Sequence, residues 1–314
     1  MLDQSIVNQA LSQLGCVVSD AKLLGGYNGN VFGVRRRGSD IVVKILEAAV
    51  TPAEQLVSEL EWLEFLHESG MAVNRPLRLE DGQYIQPVSD DYYFVVFDKV
   101  EGQHISPGNS DLWNAALFDC WGKAMGELHT FAQSYQAVHA RPQWFQNELL
   151  REERVLSDLL LAEKWKQYHE EIKQLPASKE EYGLIHGDLH HHNFLLHEDQ
   201  LTVLDFGDCE YHWFAYDIAV VIYHTAQTVA EGAEREKFIR AFFSSFMDGY
   251  ARGNSSMAWM SRVDFFINYR QLFSYTYHSH YADFSRMGKE QRMALARMRE
   301  SLLDRDSFLG FKLV

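Results

Sequence analysis

The sequence is poor in cysteine and proline, and it has no long hydrophobic run. Its 314 residues include three cysteines and six prolines, which excludes a disulfide framework and a proline-rich disordered chain. The longest apolar runs, such as residues 218–223, are far shorter than the roughly 18 residues that cross a bilayer. The N-terminal segment lacks the basic start of a secretory signal. We therefore expect a cytoplasmic protein that has no membrane partner.

Positive charge is also in short supply. The chain has 29 Lys and Arg against 44 Asp and Glu, which gives a formal net charge of −15. A field of this sign disfavours nucleic acids and anionic membranes as partners. It suits a cationic small molecule, although acidity that serves only solubility explains the same number.

The length and the change in hydrophobic period predict two lobes, because one core rarely serves more than about 250–300 residues. Period-two strands dominate before Gly102, and period-3.6 helices dominate after it. The expected fold is α+β, with a small antiparallel-sheet lobe carrying one long helix over residues 1–101 and a larger, mainly helical lobe over 102–314. The predicted strands are 22–27, 30–36, 41–46 and 92–100, and the predicted helices are 3–14, 52–68, 146–174, 216–250 and 259–283.

Two segments carry a pattern that suits phosphoryl transfer. The first is His186-Gly-Asp-Leu-His-His-His-Asn193, and the second is Leu204-Asp-Phe-Gly-Asp208. Asp188 can orient an attacking hydroxyl, while Asn193 and Asp205 offer the oxygen ligands that Mg²⁺ prefers. The alternative for any one of these residues is a turn cap, which Asp and Asn also favour.

These two segments resemble the catalytic loop and the metal-binding loop of the aminoglycoside phosphotransferase, choline kinase and homoserine kinase superfamily. The resemblance extends from about residue 20 to residue 280 and implies a bilobal protein-kinase-like fold. It also implies ATP and Mg²⁺ as cofactors, Asp188 as the catalytic residue, and Asn193 and Asp205 as metal ligands. The activity it implies is transfer of the γ-phosphate to a hydroxyl of a small molecule.

The same resemblance points to nucleotide-binding residues in the first lobe. Lys44 corresponds to the phosphate-binding lysine, and Glu59 to the helix glutamate that pairs with it; Glu61, two positions on, is expected to face solvent. The hairpin around Asn28-Gly-Asn30 stands where the phosphates are covered, although Asn-Gly alone is also a β-turn signal. The implied nucleotide-binding residues are Lys44, Glu59, Asn28, Gly29, Asn30, Phe97 and Lys99.

Further residues suggest how the second lobe works. Asp217 resembles the aspartate that braces the catalytic loop, and it also suits a helix start. His190, His191 and His192 are expected to pack or to flank the cleft, with a transition-metal site as the weaker alternative. An aromatic stripe indicates core, or else a wall for a cationic acceptor. Its members are Phe266, Tyr269, Phe273, Tyr277 and Tyr281.

The predicted function is therefore that of a small-molecule kinase. Only eleven residues separate Asp205 from Asp217, which leaves no room for a protein kinase's activation segment. A protein Ser/Thr kinase and a non-catalytic nucleotide-binding regulator stay open as alternatives. The sequence determines neither the acceptor, nor the choice of ATP over GTP, nor the oligomeric state.

Overall fold

A computed structural model describes residues 2–26, 29–151, 156–282 and 286–314. It divides the chain into two compact units. Unit 1 contains the described residues of Met1–His104 together with Tyr135–Arg141 and Phe194–Gly207. Unit 2 contains Ile105–Ser134, Pro142–Asn193 and the described residues of Asp208–Val314. The division of the chain at residue 101 stays a prediction, while unit 1 by itself also includes two later segments.

Unit 1 is built on an antiparallel sheet. Its strands run in the order β1-β2-β3-β6-β4, and β5 pairs with β6. Alternate residues of β3 are buried, so that Ile41, Val43 and Ile45 pack on helix α1 through Val7 and Leu11. The strands are β1 Lys22–Gly25, β2 Val31–Arg36, β3 Ser39–Glu47, β4 Pro76–Leu77, β5 Gln86–Pro87 and β6 Tyr92–Asp98.

Two helices and a hairpin complete unit 1. The helices are α1 Gln4–Gln13 and α2 Ala53–Glu68. Strands β8 Phe194–His197 and β9 Gln200–Val203 form the hairpin that leads to Asp205. The Val203 amide donates to Ala72 O at 2.9 Å, and the Gln103 amide donates to Leu196 O at 3.0 Å. These bonds fix the hairpin within unit 1.

Unit 2 is mainly helical. A two-stranded sheet in it pairs β7 Tyr182–Ile185 with β10 Glu210–Trp213. Helix α6 is buried almost throughout, as expected of a helix that is apolar on every side. The helices are α3 Ala115–Ser134, α4 Glu148–Arg151, α5 Leu159–Lys173, α6 Phe214–Ala226, α7 Ala233–Gly253, α8 Val263–His280 and α9 Lys289–Asp304.

Helices α3 and α7 meet backbone to backbone through glycine. A Cβ atom built on Gly249 would lie 1.8 Å from Asp119 O, and one built on Gly122 would lie 1.8 Å from Phe246 O. No side chain fits at such distances, so these two positions allow the helices to pack this closely.

Three predicted helix boundaries were wrong. The segment 216–250 is two helices, because the chain turns at residues 227–232, where Gly232 has φ +129°. The segment 146–174 holds α4 and α5, and α5 starts late because the Asp158 side chain caps it. Helix α8 ends at His280, and residue 283 lies outside the described residues. Throughout the described ranges, no helix is long and apolar enough to cross a bilayer.

Candidate active site

The loop after β7 has a backbone that only glycine permits at one position. Gly187 has φ +82°, and a Cβ atom there would lie 2.5 Å from Asp208 O. The loop then tightens through two turn bonds, from the His190 amide to Asp188 O at 2.9 Å and from the Asn193 amide to His190 O at 2.9 Å. Within unit 2 these bonds fix the backbone that carries Asp188.

Asp217 braces this loop from the first turn of α6. Its Oδ2 accepts from the His186 amide at 2.9 Å, and its Oδ1 accepts from the Gly187 amide at 3.0 Å. Nε2 of His129 lies 3.1 Å from the same Oδ2, and the Tyr250 hydroxyl lies 2.8 Å from Nδ1. Because a carboxylate only accepts, Nε2 carries the proton and Nδ1 accepts from Tyr250. Asp217 is fully buried, whereas a residue that only caps a helix has no need to be buried.

Asp188 and Asn193 are brought together in unit 2. The Asn193 Nδ2 donates to Asp188 O at 2.8 Å and lies 3.5 Å from Asp188 Oδ2. Because the amide nitrogen is used in this way, the Asn193 Oδ1 is the atom left to ligate a cation. The local bonds alone would also describe a capped turn, so the charges around Asp188 decide its chemistry.

Three side chains surround the Asp188 carboxylate. Arg270 Nη2 donates to Oδ1 at 3.0 Å, and His224 Nε2 lies 3.6 Å from the same oxygen. His190 Nε2 lies 3.3 Å from Oδ2. The His192 amide donates to Nδ1 of His190 at 3.2 Å, so Nε2 of His190 holds the proton and donates to the carboxylate.

These contacts determine the ionisation of Asp188. Burial by itself would raise the pKa of this carboxyl, but the hydrogen bond from His190 and the charge of Arg270 more than offset burial and hold the pKa well below its usual range. Asp188 is therefore an anion at neutral pH. It can accept a hydrogen bond from a hydroxyl group and take its proton only as that oxygen loses electron density.

Unit 1 brings Lys44 and Asp205 together. Lys44 Nζ lies 3.1 Å from Asp205 Oδ1. Lys44 projects from β3, where it pairs with Val31 and Val95. Asp205 follows β9 with φ +60°, a conformation that Asp tolerates better than most residues. Arg141 holds the next turn by donating to Gly207 O at 3.2 Å and to Gln55 O at 2.9 Å.

The two glutamates of α2 have different surroundings. Glu59 is buried, with 5% of its surface exposed. Glu61 is the more exposed of the two, with 20% of its side chain exposed, and it also accepts from the His139 amide at 3.3 Å and lies 2.8 Å from Nδ1 of that histidine. Glu61 therefore helps to attach the segment Tyr135–Arg141 to α2.

Of the remaining predicted nucleotide-binding residues, those that the structure describes lie on or beside the sheet of unit 1. Asn30, just before β2, donates from Nδ2 to Ile45 O of β3 at 2.7 Å, and Gly29 has φ +64°. Asn28 lies outside the described residues. Phe97 is buried in β6, and Lys99 pairs with Asp40 at 3.5 Å.

The histidine run and the aromatic stripe have structural roles along part of their length. His191 packs its ring edge-on against Trp113 at 5.5 Å. Within the part of the chain that the structure describes, no three His, Cys, Asp or Glu side chains group as a metal ion would need. In the stripe, Phe266 and Tyr269 are core, whereas Tyr277 and Tyr281 are 43% and 52% exposed.

Sequence reasoning missed Arg270. It is the one basic residue in the aromatic segment 263–277, between Tyr269 and Gln271. A lone Arg among residues that pack in a core needs a buried anionic partner, and that requirement was the signal available in the sequence. The partner itself, 82 residues away, could not be identified from spacing.

The chain is similar to known proteins in both sequence and fold. A sequence profile described as the phosphotransferase enzyme family matches residues 21–254. The amicoumacin kinase of Bacillus subtilis (strain 168) is 25% identical over 311 residues, which cover 96% of this chain and 92% of that protein.

Two solved structures share the fold. Amicoumacin kinase hAmiN, in complex with AMP-PNP, Ca²⁺ and Ami, has a TM-score of 0.86 at 23% identity and covers 99% of each chain. A microcompartment-associated aminopropanol kinase has a TM-score of 0.74 at 20% identity, over 99% of this chain and all of that one. These likenesses confirm the predicted kinase-like α+β fold.

Proposed function

The chain belongs to the phosphotransferase enzyme family, and we propose that it transfers the γ-phosphate of ATP to a hydroxyl group of a small molecule, with Mg²⁺ as its divalent cation. Membership and relatedness make it a phosphotransferase that acts on hydroxyl groups. The acceptor, the nucleotide and the metal are the parts that we propose. One observation carries the proposal, namely the ionised Asp188 held by a braced loop with Asn193 bonded to it.

The proposed reaction assigns each residue a limited task. Asp188 orients the acceptor hydroxyl and receives its proton as the new P–O bond forms and the bond to the ADP oxygen breaks. Lys44 carries a positive charge that suits the non-transferred phosphates. Asn193 Oδ1 and the Asp205 carboxylate are oxygen donors, which fit a hard divalent cation that also keeps water and phosphate ligands. When bound, that cation would neutralise charge on the phosphates.

The remaining nucleotide assignments also stay proposals. Glu59 is buried on the helix that follows Lys44 in sequence, as a supporting carboxylate would be. Gly29 and Asn30 lie beside a backbone turn with positive φ, which suits a close approach of phosphate. Phe97 and Lys99 lie at the end of β6 and are proposed to meet the base.

Two relatives support a small-molecule acceptor. One is an amicoumacin kinase and the other an aminopropanol kinase, and a solved amicoumacin kinase holds AMP-PNP and Ca²⁺. A cationic acceptor agrees with the net charge of −15. A cytoplasmic location is proposed from the sequence composition.

The test measures transfer of label from γ-labelled ATP, in the presence of Mg²⁺, to aminopropanol, to amicoumacin, and to the small-molecule and protein fractions of a cell extract. We expect Asp188→Asn to bind nucleotide like the wild type and to lose about 10²- to 10⁴-fold in turnover. Asp205→Asn should weaken Mg²⁺-dependent nucleotide binding.

The matched control is Asp264→Asn, the same chemical change in the same unit. Asp264 accepts from the Leu313 and Val314 amides, both at 3.0 Å, and should keep full turnover. Label that appears on protein and depends on Asp188 would contradict this proposal and indicate a protein kinase. Wild-type turnover by Asp188→Asn would contradict the assigned chemistry.

A further inference from the structure

The catalytic carboxylate of unit 2 is paired with a guanidinium that is largely shielded from solvent. Arg270 Nη2 lies 3.0 Å from Asp188 Oδ1, and the two side chains are 12% and 25% exposed. A charge-assisted hydrogen bond in such a site is stronger than a surface ion pair, because water has limited access to both partners. Arg270 therefore restrains the carboxylate that the proposed reaction needs.

Arg270 is itself restrained by two further residues. Its Nη1 donates to the Tyr216 hydroxyl at 3.3 Å, and its Nη2 lies 3.2 Å from His224 Nε2. Because a guanidinium only donates, His224 Nε2 must be the nitrogen without a proton. Burial and the neighbouring Arg270 lower the pKa of His224 to about 3, which agrees with a neutral ring. The planar guanidinium is thus held at both ends.

The two carboxylate oxygens of Asp188 consequently have different surroundings. Oδ1 accepts from Arg270, whereas Oδ2 faces His190 Nε2 at 3.3 Å and Asn193 Nδ2 at 3.5 Å. Rotation of the carboxylate about its Cβ–Cγ bond would break the shortest of these contacts. The plane of the carboxylate, and with it the direction of the free lone pairs, is set by Arg270.

We propose that Arg270 is a positioning residue for phosphoryl transfer, which holds the Asp188 carboxylate in the plane where it meets the acceptor hydroxyl. This inference rests on the proposed function. In the step itself, the hydroxyl proton passes to Asp188 as the acceptor oxygen bonds to phosphorus and the bond to the ADP oxygen breaks. Arg270 keeps its protons throughout and acts through its contacts with Asp188, Tyr216 and His224.

The test compares Arg270→Gln and Arg270→Lys with Arg262→Gln as the matched control. Arg262 forms a similarly shielded ion pair in the same unit, with its Nη1 2.8 Å from Glu181 Oε1. The readouts are kcat and KM, measured separately with whichever acceptor the wild type phosphorylates. We expect Arg270→Gln to lose about 10- to 100-fold in kcat, the scale of a misplaced catalytic group. The KM for ATP should stay within about twofold.

Two more variants separate positioning from a structural role. Arg270→Lys keeps the charge without the planar fork, so it should recover part of the lost kcat. In the Asp188→Asn background, Arg270→Gln should cause little further loss, since residues that act as one unit are not additive. Should Arg270→Gln fail to fold, Tyr216→Phe removes only the hydroxyl that accepts from Nη1, and it should lower kcat with unchanged KM.

Each outcome decides one of the two ideas. Equal kcat for Arg270→Gln and Arg262→Gln overturns the positioning role, and so do losses that multiply with those of Asp188→Asn. Where Tyr216→Phe is the variant measured, wild-type kcat overturns it as well. A wild type that transfers no label to any acceptor overturns the proposed function instead.

Discussion

Replacing Asp217 by asparagine should loosen the loop over residues 186–193, which carries Asp188. The Asp217 carboxylate accepts from the His186 amide, the Gly187 amide and His129 Nε2, at 2.9, 3.0 and 3.1 Å. All three donors are buried with it. An asparagine can place its oxygen at only one of the two carboxylate positions, and its NH₂ group then faces a backbone N–H.

The size of the effect follows from these contacts. One charge-assisted bond, which contributes about 1.5–3 kcal/mol, is lost, and a buried N–H left unpaired costs about 1–3 kcal/mol. The two bonds that remain become neutral and weaken. A total of about 3–5 kcal/mol is therefore expected, as for other buried charge networks that lose one partner. A domain whose stability lies in the upper part of the usual range of about 5–15 kcal/mol would remain folded.

The assay is amide hydrogen exchange across the segment 182–193, together with denaturant unfolding followed by tryptophan fluorescence. A loss of about 3 kcal/mol in local stability corresponds to exchange roughly 100-fold faster at the His186 and Gly187 amides. Asp264→Asn is the control, because its carboxylate also accepts from two backbone amides. Unchanged exchange at His186 and Gly187, with a stability loss below about 1 kcal/mol, would refute the reasoning.

Two further predictions test the packing and the pH dependence of unit 2. Gly249→Ala should lower the free energy of unfolding by about 3 kcal/mol or more, because its Cβ would lie 1.8 Å from Asp119 O. Gly108→Ala, whose nearest neighbour would be 3.6 Å away, is the control, and equal denaturation midpoints for both would contradict the prediction. His212 is buried, and burial lowers its pKa to about 3, below the value of 6.5 it has when unfolded. The unfolded chain therefore takes up a proton first as the pH falls, so His212 contributes stability above pH 6.5 that is lost toward pH 3, by at most about 1.4 kcal/mol per pH unit. Unfolding of wild type and His212→Phe at pH 6.5, 5.5 and 4.5 should show a shallower slope for the variant, and parallel slopes would exclude a neutral His212.

Local features of the fold were predictable because their causes are local. The turn that joins Asp188 to Asn193 closes over five residues, and strands β2 and β3 follow the alternation of apolar residues that the sequence displays. For Asp217, local position predicted only a residue at a helix start, and the family resemblance implied the role of bracing the loop that carries Asp188. Each of these inferences needed only residue type and short spacing.

Contacts between distant segments could not be predicted in the same way. Glu61 was expected to face solvent, and its additional contact with His139, 78 residues away, was not foreseen. Two helices were read as one in residues 216–250, because the apolar period continues past the turn that ends α6. Tertiary contacts determined both outcomes, and the sequence alone does not identify the residues that make those contacts.

Gly187 and Arg270 illustrate how one structural constraint displaces another. The loop has no space for a side chain at position 187, where a Cβ atom would lie 2.5 Å from Asp208 O. Position 187 therefore cannot supply a side chain to Asp188, and from the loop His190 and Asn193 contact its carboxylate. The positive charge comes instead from α8, 82 residues further along the chain. The position of Arg270 depends on how α8 packs. Substitutions of the buried residues of α8 should therefore change turnover through Arg270 without altering the loop over residues 186–193.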